Sequence, residues 1–346
     1  MSPSSSPFAE GPGPAFTYVA FRTGAWCAQR LPLRVGAGIA RVGAAVAYLV
    51  AGAKRRTLRA NLARVLEEGS HLERAVREGF HSYARYWLET FRLGRYSAEE
   101  LLAMVDPIGV ELLEAALGQG RGVVLVGAHF GFYDIAVAWG GVKGYPVTSV
   151  GEVLRPRALF EWFVAERQRR GQIRILASKP GAQALRRLLE ALDQGRAVVL
   201  VSERDLGRRG VWVRFFGEKT TFPVGPGWLV SRSGAPLLIV GIYSVGKRYR
   251  LELEEIPYEL SGEQSRDVPV ISQAIARGLE RLIRKAPEQW HLFSTNWPSD
   301  EPHLPPRGNP RRHADAGADA EANADAEANA DAGTDAGAGT DAGAER

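Results

Sequence analysis

The spacing of hydrophobic and polar positions changes partway along the chain. In residues 72–93 (LERAVREGFHSYARYWLETFRL) apolar side chains recur at helical spacing, with Phe80, Tyr83, Ala84, Trp87, Leu88 and Phe91 on one side. Such a stripe usually serves packing. Residues 31–53 are apolar but interrupted by Arg34 and Arg41. The uncharged run at 42–53 is shorter than the roughly 20 apolar residues that cross a bilayer. From about residue 108 short apolar runs alternate with amphipathic stretches. GVVLVGA (122–128) and AVVLVS (197–202) read as strands buried on both faces. Residues 147–153, 173–176 and 211–216 are further strand candidates, and 157–170 and 183–194 read as helices. Residues 224–233 begin a helix with Pro226 in its first turn, where proline is tolerated. Residues 236–243 and 249–256 predict paired strands, and 268–284 a closing helix. The alternation predicts an α/β fold: a central, mostly parallel or mixed sheet flanked by helices, preceded by an N-terminal helical membrane-surface segment.

The domain limits follow from composition. A chain of 346 residues, 45% apolar, can hold one large core or two small ones. Residues 1–14 (MSPSSSPFAEGPGP) are predicted to be disordered and lack the positive start and apolar run of a secretory signal. Residues 301–346 form a Pro/Arg linker and an Ala/Asp/Glu/Gly repeat. From Pro305 onward no aromatic or large aliphatic side chain is present to offset ordering entropy. One folded domain, 15–300, is therefore expected between two disordered ends.

Charge sharpens the picture. Residues 314–346 carry nine acids against one arginine, a net of −8, so residues 1–313 carry 43 bases against 30 acids, a net of +13. A basic folded part suits an anionic partner: nucleic acid, anionic lipid headgroups or a nucleotide-bearing co-substrate. No helix-turn-helix, zinc or aromatic strand motif supports nucleic acid. Lys54, Arg55, Arg56 and Arg59 follow the apolar stretch at once, as in a segment lying in the membrane interface. An ordinary core helix with an exposed basic turn would look the same. The single cysteine, Cys27, excludes an internal disulfide framework and a cysteine zinc site.

Candidate chemistry concentrates in 123–139, VVLVGAHFGFYDIAVAW. A buried strand delivers His129 to its carboxyl end, where ligands bind in open α/β sheets. Asp134 follows five residues later. Within one helix that offset is about 500°, so the side chains would diverge, whereas across a strand-to-helix turn they can meet. Asp134 could then accept the Nδ1 proton and leave Nε2 free as a base. The alternative is a buried histidine satisfied by a backbone group. Glu203, Arg204 and Asp205 sit at the end of a second buried strand, on the same edge if the two strands are parallel. Arg204, Arg208 and Arg209, or Arg155, Arg157 and Arg167, could hold a phosphate by bidentate bonds or could simply be solvated. The Gly225–Pro226–Gly227 helix start could meet an anion or be a plain helix start. No serine stands in a nucleophile elbow.

HFGFYD resembles the His-x4-Asp signature of the lysophospholipid acyltransferase superfamily. RRTLRANL (55–62), GEVLRPRALFEWFVAER (151–167), SERDLGRRGVWVRFFGE (202–218) and FPVGPGWLVSRSGAPLLIVGIY (222–243) extend the resemblance over about residues 16–297. The set is similar to the branch containing lipid A late acyltransferases and phosphatidylinositol mannoside acyltransferases, and Asp134 together with SERDLGRRGV leans it toward the mannoside enzymes. The resemblance implies His129 and Asp134 as the catalytic pair, Glu203 as a carboxylate beside the histidine, and Glu152, Arg167 and Arg204 as charged substrate-binding positions. It also implies acyl-CoA as co-substrate (acyl carrier protein is the alternative donor), with no bound cofactor or metal. A membrane glycolipid or phospholipid would be the acceptor. The expected protein is a monomer, peripheral on the cytoplasmic face of the plasma (inner) membrane. Two rival readings are a metal site built from His129, Asp134 and Glu203, and a non-enzymatic lipid-binding scaffold.

Overall fold

A computed structural model of the chain describes residues 12–178, 182–205 and 207–300. Four helices come first: α1 (Pro12–Arg30), α2 (Leu33–Val50), α3 (Gly52–Ala63) and α4 (Ser70–Arg92). Then follow α5 (Ala98–Met104), β1 (Val105–Ile108), α6 (Val110–Gly118), β2 (Val123–Gly127), α7 (Tyr133–Val142), β3 (Val147–Glu152), α8 (Arg157–Gln168), β4 (Ile173–Ser178), α9 (Ala182–Asp193) and β5 (Ala197–Val201). The chain continues through β6 (Val211–Phe215), β7 (Glu218–Phe222), α10 (Gly225–Ser233), β8 (Leu237–Val245), β9 (Arg248–Glu255) and α11 (Gln264–Arg284). The expected α/β class is observed. Helix α1 begins at Pro12, inside the stretch expected to be disordered. Residues 1–11 and the acidic tail lie outside the described residues.

Seven strands form one sheet in the order β1-β9-β8-β2-β5-β3-β4, and β6 and β7 form a separate antiparallel pair. Strands β8, β2, β5, β3 and β4 run parallel, while β9 turns back antiparallel to β8 with β1 parallel beside it. In β2 all five residues are buried. Val124 and Val126 enter one apolar core and Val123 and Leu125 the other, because alternate side chains of a strand face opposite sides. A strand clad on both faces must read as an unbroken apolar run, and β2 does.

The paired strands at 236–243 and 249–256 are the β8–β9 hairpin. Sequence periodicity passed over β1 and β7. β1 is four residues long with Pro107 in it and lies at the sheet edge, where a missing N–H does no harm. β7 (EKTTF) is too polar to register as a buried run.

Helix α2 packs along α4 by its small residues. Gly36 and Ala44 are buried, and a Cβ at Gly36 would stand 3.1 Å from Leu88 Cδ1. Val35, Ile39, Val42, Val46, Leu49 and Val50 point outward and are 47–76% exposed. By length and composition this 18-residue helix meets the requirement for a membrane span, which the shorter uncharged run did not.

The link from β2 to α7 depends on Gly131. Its φ is +63°, and a Cβ there would lie 1.7 Å from the carbonyl oxygen of Ile242. Gly246 has nearly the same φ, +61°, with nothing within 4 Å. Gly131→Ala should cost at least about 3 kcal/mol in denaturant unfolding, while Gly246→Ala should cost only about 1–2 kcal/mol, the penalty of the left-handed backbone alone. Equal costs would show that close approach to β8 is not what selects glycine at 131.

Candidate active site

The carboxyl ends of β2 and β5 lie side by side, with Gly127 opposite Val201 and the Ser202 N–H donating to the Gly127 carbonyl at 3.0 Å. Beyond β2 the chain makes a three-residue turn. Phe130 N–H donates to Ala128 O at 2.6 Å and places His129 at the apex. Beyond β5, Glu203 is fully buried. Its Oε1 accepts the His129 backbone N–H at 2.9 Å and the ring Nδ1–H at 2.8 Å. With Nδ1 as donor, Nε2 is the free nitrogen, and the His129 side chain is 32% exposed. Burial pushes the Glu203 carboxyl up, but the charge, ring hydrogen bond and backbone N–H of His129 outweigh it and hold the group below the usual carboxylate range.

This corrects the expected pairing of His129 with Asp134. The Asp134 carboxylate is directed elsewhere: Oδ1 accepts from Arg167 Nε at 2.7 Å, and Oδ2 from Tyr86 at 2.9 Å and Thr90 at 3.1 Å. Asp134 lies in the first turn of α7, so the strand-to-helix turn sends it toward α4 and α8 and away from the imidazole. It is a node tying three helices, with the helix dipole favouring its charge. Burial alone would lower Arg167, and Asp134 more than reverses that and raises it. Burial first, then Asp134, pushes the Tyr86 phenol well up. Tyr86 also shares a hydrogen bond with Tyr133, whose ring stands edge-on to the His129 ring at 6.5 Å. Tyr86 and Tyr133 link the node to the histidine, and Tyr86 also meets the His291 ring at 5.7 Å.

The six expected site residues thus form three couples. His129 meets Glu203, and Asp134 meets Arg167. Glu152, at the end of β3, lies 3.9 Å from Arg204. The sheet brings the first and third to one edge, next to one another through Glu203 and Arg204. Arg167 is half-buried against Asp134 and over the Phe163 ring at 5.3 Å. Arg157 pairs with Glu161 on its own helix. Gly227 opens α10 against α11, where a Cβ would meet the Val268 carbonyl at 3.0 Å, so that helix start serves packing.

One hollow borders Asp134 and Arg167, and a second, lined by none of the six, opens beyond Phe132. The first, of about 30 Å³, room for a single water, lies among Asp134, Arg167, Phe91, Trp162 and Phe163. The other, about 710 Å³, is an open cleft between α2 and α4. Its walls include Arg41, Arg85 and Phe132, together with Ser82, which shares a hydrogen bond with His291, and Gln289, whose side-chain amide bonds the Ser244 main chain.

Sequence reasoning missed Tyr86, Thr90 and the histidine of WHLF. The His291 N–H donates to the His129 carbonyl at 2.7 Å, and its Nε2 shares a hydrogen bond with Ser82 at 2.8 Å. Burial first, and the charge of His129 second, push His291 down to about 3. The apolar context of His291 was legible in the sequence, but its proximity to His129 was not.

The family described as bacterial lipid A biosynthesis acyltransferase matches residues 15–299. The chain belongs to that family. It is an acyltransferase. Among its relatives is the phosphatidylinositol mannoside acyltransferase of Mycolicibacterium smegmatis, 34% identical over 292 residues, 83% of this chain and 93% of that protein. The enzyme of the same name from Mycobacterium tuberculosis (strain H37Rv) is 35% identical over 247 residues, 70% of this chain and 77% of that one. The lipid A biosynthesis palmitoleoyltransferase of Escherichia coli K12 is 28% identical over 222 residues, 63% of this chain and 69% of that one. In this member of the family the His129 and Glu203 strand ends are adjacent and parallel.

The buried neutral His291 has a measurable consequence. In the unfolded chain it takes a proton near 6.5, whereas in the folded protein it does so only near 3. The unfolded state therefore binds more protons between those values, and stability falls as pH falls through the window. Between pH 7 and 5 the loss from this group is about 2 kcal/mol. His291→Gln should shrink the difference in unfolding free energy between those two pH values by that amount. An unchanged difference would mean that His291 is not held neutral.

Proposed function

We propose that the chain transfers a fatty acyl group from acyl-CoA to a hydroxyl of a phosphatidylinositol mannoside-like glycolipid, with His129 as general base and Glu203 as its partner. One observation carries this reading: a fully buried carboxylate on Nδ1 leaves Nε2 as the free ring nitrogen of a partly exposed histidine at the carboxyl edge of the sheet. His129 Nε2 takes the proton of the acceptor hydroxyl while the oxygen attacks the thioester carbonyl carbon. Glu203 stabilises the imidazolium as it forms. The tetrahedral intermediate collapses, the C–S bond breaks, and the departing thiolate recovers the proton from the imidazolium. Asp134 and Arg167 fix α7, which follows the His129 turn, against α4 and α8. Arg204 and Glu152 stand beside Glu203 as the charged groups for a phosphate or sugar hydroxyl.

The mannoside-like acceptor is favoured by the relatives: those named for phosphatidylinositol mannosides are 34–35% identical, those named for lipid A 25–28%. The setting is a membrane surface, on its cytoplasmic side, where acyl-CoA is available. Helix α2 supports this. Its large aliphatics face outward, Phe16, Val19 and Trp26 of α1 are also 48–75% exposed, and Lys54, Arg55, Arg56 and Arg59 follow on α3. An apolar face flanked by cations suits the interface of an anionic bilayer.

The protein should move label from acyl-CoA, in preference to acyl carrier protein, onto a mannosylated phosphatidylinositol in a total lipid extract of its host, read by mass spectrometry of the labelled lipid. His129→Ala should lower kcat by about 10²–10⁴ with lipid binding retained. Glu203→Gln should lower it by at least about 10², because the amide no longer favours the imidazolium. Full turnover by His129→Ala would defeat the proposed mechanism.

A further inference from the structure

The pair Glu203–His129 is not held by its own two loops alone. Residues 287–297, after α11, run past both as a strap that opens with a single 3-10 turn (Pro287–Gln289) and has no sheet ladder of its own, touching the site at four points. Gly131 N–H donates to the Gln289 carbonyl at 2.8 Å, and Phe130 bridges Trp290 in antiparallel fashion. The His291 N–H meets the His129 carbonyl at 2.7 Å. Asn296 Nδ2 donates to the backbone carbonyl of Glu203 at 2.9 Å. The strap therefore grips the base on one side and its carboxylate partner on the other.

Trp290 and Trp297 bury the strap in the core, Thr220 bonds the Asn296 carbonyl, and α3 adds a further set of anchors. Both amide hydrogens of Asn61, within RRTLRANL, go to the strap: Nδ2 donates to Leu292 O at 2.7 Å and to Ser294 O at 3.0 Å. Asn61 and Asn296 are each fully buried. Lys54, in the basic turn of the same helix, donates to Phe293 O at 3.1 Å. A segment with little regular structure takes its position from such contacts, and buried donors committed to main-chain carbonyls are costly to remove.

We propose that Asn296, with Asn61 behind it, is a positioning residue for acyl transfer: through the strap the two asparagines set the separation between the Glu203 carboxylate and the His129 imidazole. This rests on His129 being the base. It adds that the helix carrying the basic turn is hydrogen-bonded to the segment that aligns the base. Neither asparagine touches the reacting atoms.

The test uses the full-length protein in detergent, with proton NMR of the hydrogen-bonded His129 Nδ1–H and steady-state kinetics. The native protein should show a low-field Nδ1–H signal that is absent in His129→Ala. Asn296→Ala should lose or shift that signal upfield and lower kcat by about 10–10², with KM little changed, the loss expected of a small misplacement. Asn61→Ser, which keeps one donor and is milder should Asn296→Ala not fold, should give an intermediate loss and a smaller shift in the same direction. A native-like signal with unchanged kcat in Asn61→Ser, or a fall in kcat with the signal untouched in either variant, overturns the proposal. If His129→Ala itself retains turnover, the assignment of the base fails, and that result is distinct because it does not involve the strap.

Discussion

The site depends on one contact, a carboxylate with no exposure to water facing a histidine that keeps one edge in it. Taking Glu203 out of water is expensive unless something nearby returns the lost solvation. His129 does so twice through one oxygen, by its main-chain N–H and by its ring. The main-chain bond is permanent, whereas the ring bond gains strength when the ring is charged. Such an arrangement fixes the tautomer beforehand and leaves Nε2 as the free ring nitrogen.

That contact requires two strand ends to arrive together, and the sheet order supplies them. β2 lies between β5 and β8, and its parallel register with β5 sets Gly127 opposite Val201. Because β2 is apolar on both faces, it is the fit of its particular side chains into the two cores, and not an alternation of apolar and polar positions, that holds this register. Gly131 then lets the chain turn against β8 before α7 begins. Asp134 and Arg167 hold α7, α4 and α8 around this turn without touching the histidine.

Much of this was legible in the residue order, and the part that was not has a definite character. The run VVLVG announced a strand clad on both faces; AVVLV was read the same way, but β5 is buried only at its start and opens to solvent at Val201, the end that leads to the site. His129 and Glu203 stood at the ends of those runs, so their shared edge could be anticipated. The partner of Nδ1 could not. Asp134 is near in sequence, but the helix start rotates it toward Arg167, while Glu203 is 74 positions away and reaches the ring through sheet pairing. Tyr86 and Thr90 belong to an aromatic helix whose pattern reports packing only, and they meet Asp134 across 48 and 44 positions. Asn61 and Asn296 are single polar letters, and their contacts span 231 and 93 positions. Local periodicity carries no information about such pairs. Edge strand β1 and polar β7 failed for the opposite reason: short strands with proline or threonine lack the apolar run that marks a central one.

Helix α2 is turned inside out relative to a helix of a water-soluble core. Its tightly fitted side is made of glycine and alanine against Leu88, and its bulky aliphatics have no protein neighbour to match. Substitution tolerance along it is therefore inverted. At the buried positions Gly36 and Ala44 added volume must push neighbours such as Leu88 aside, whereas Val42, Val46 and Leu49 can exchange among aliphatic residues so long as the face stays oily. In this helix, then, it is the small buried letters that carry the fit and the large ones that supply only oiliness.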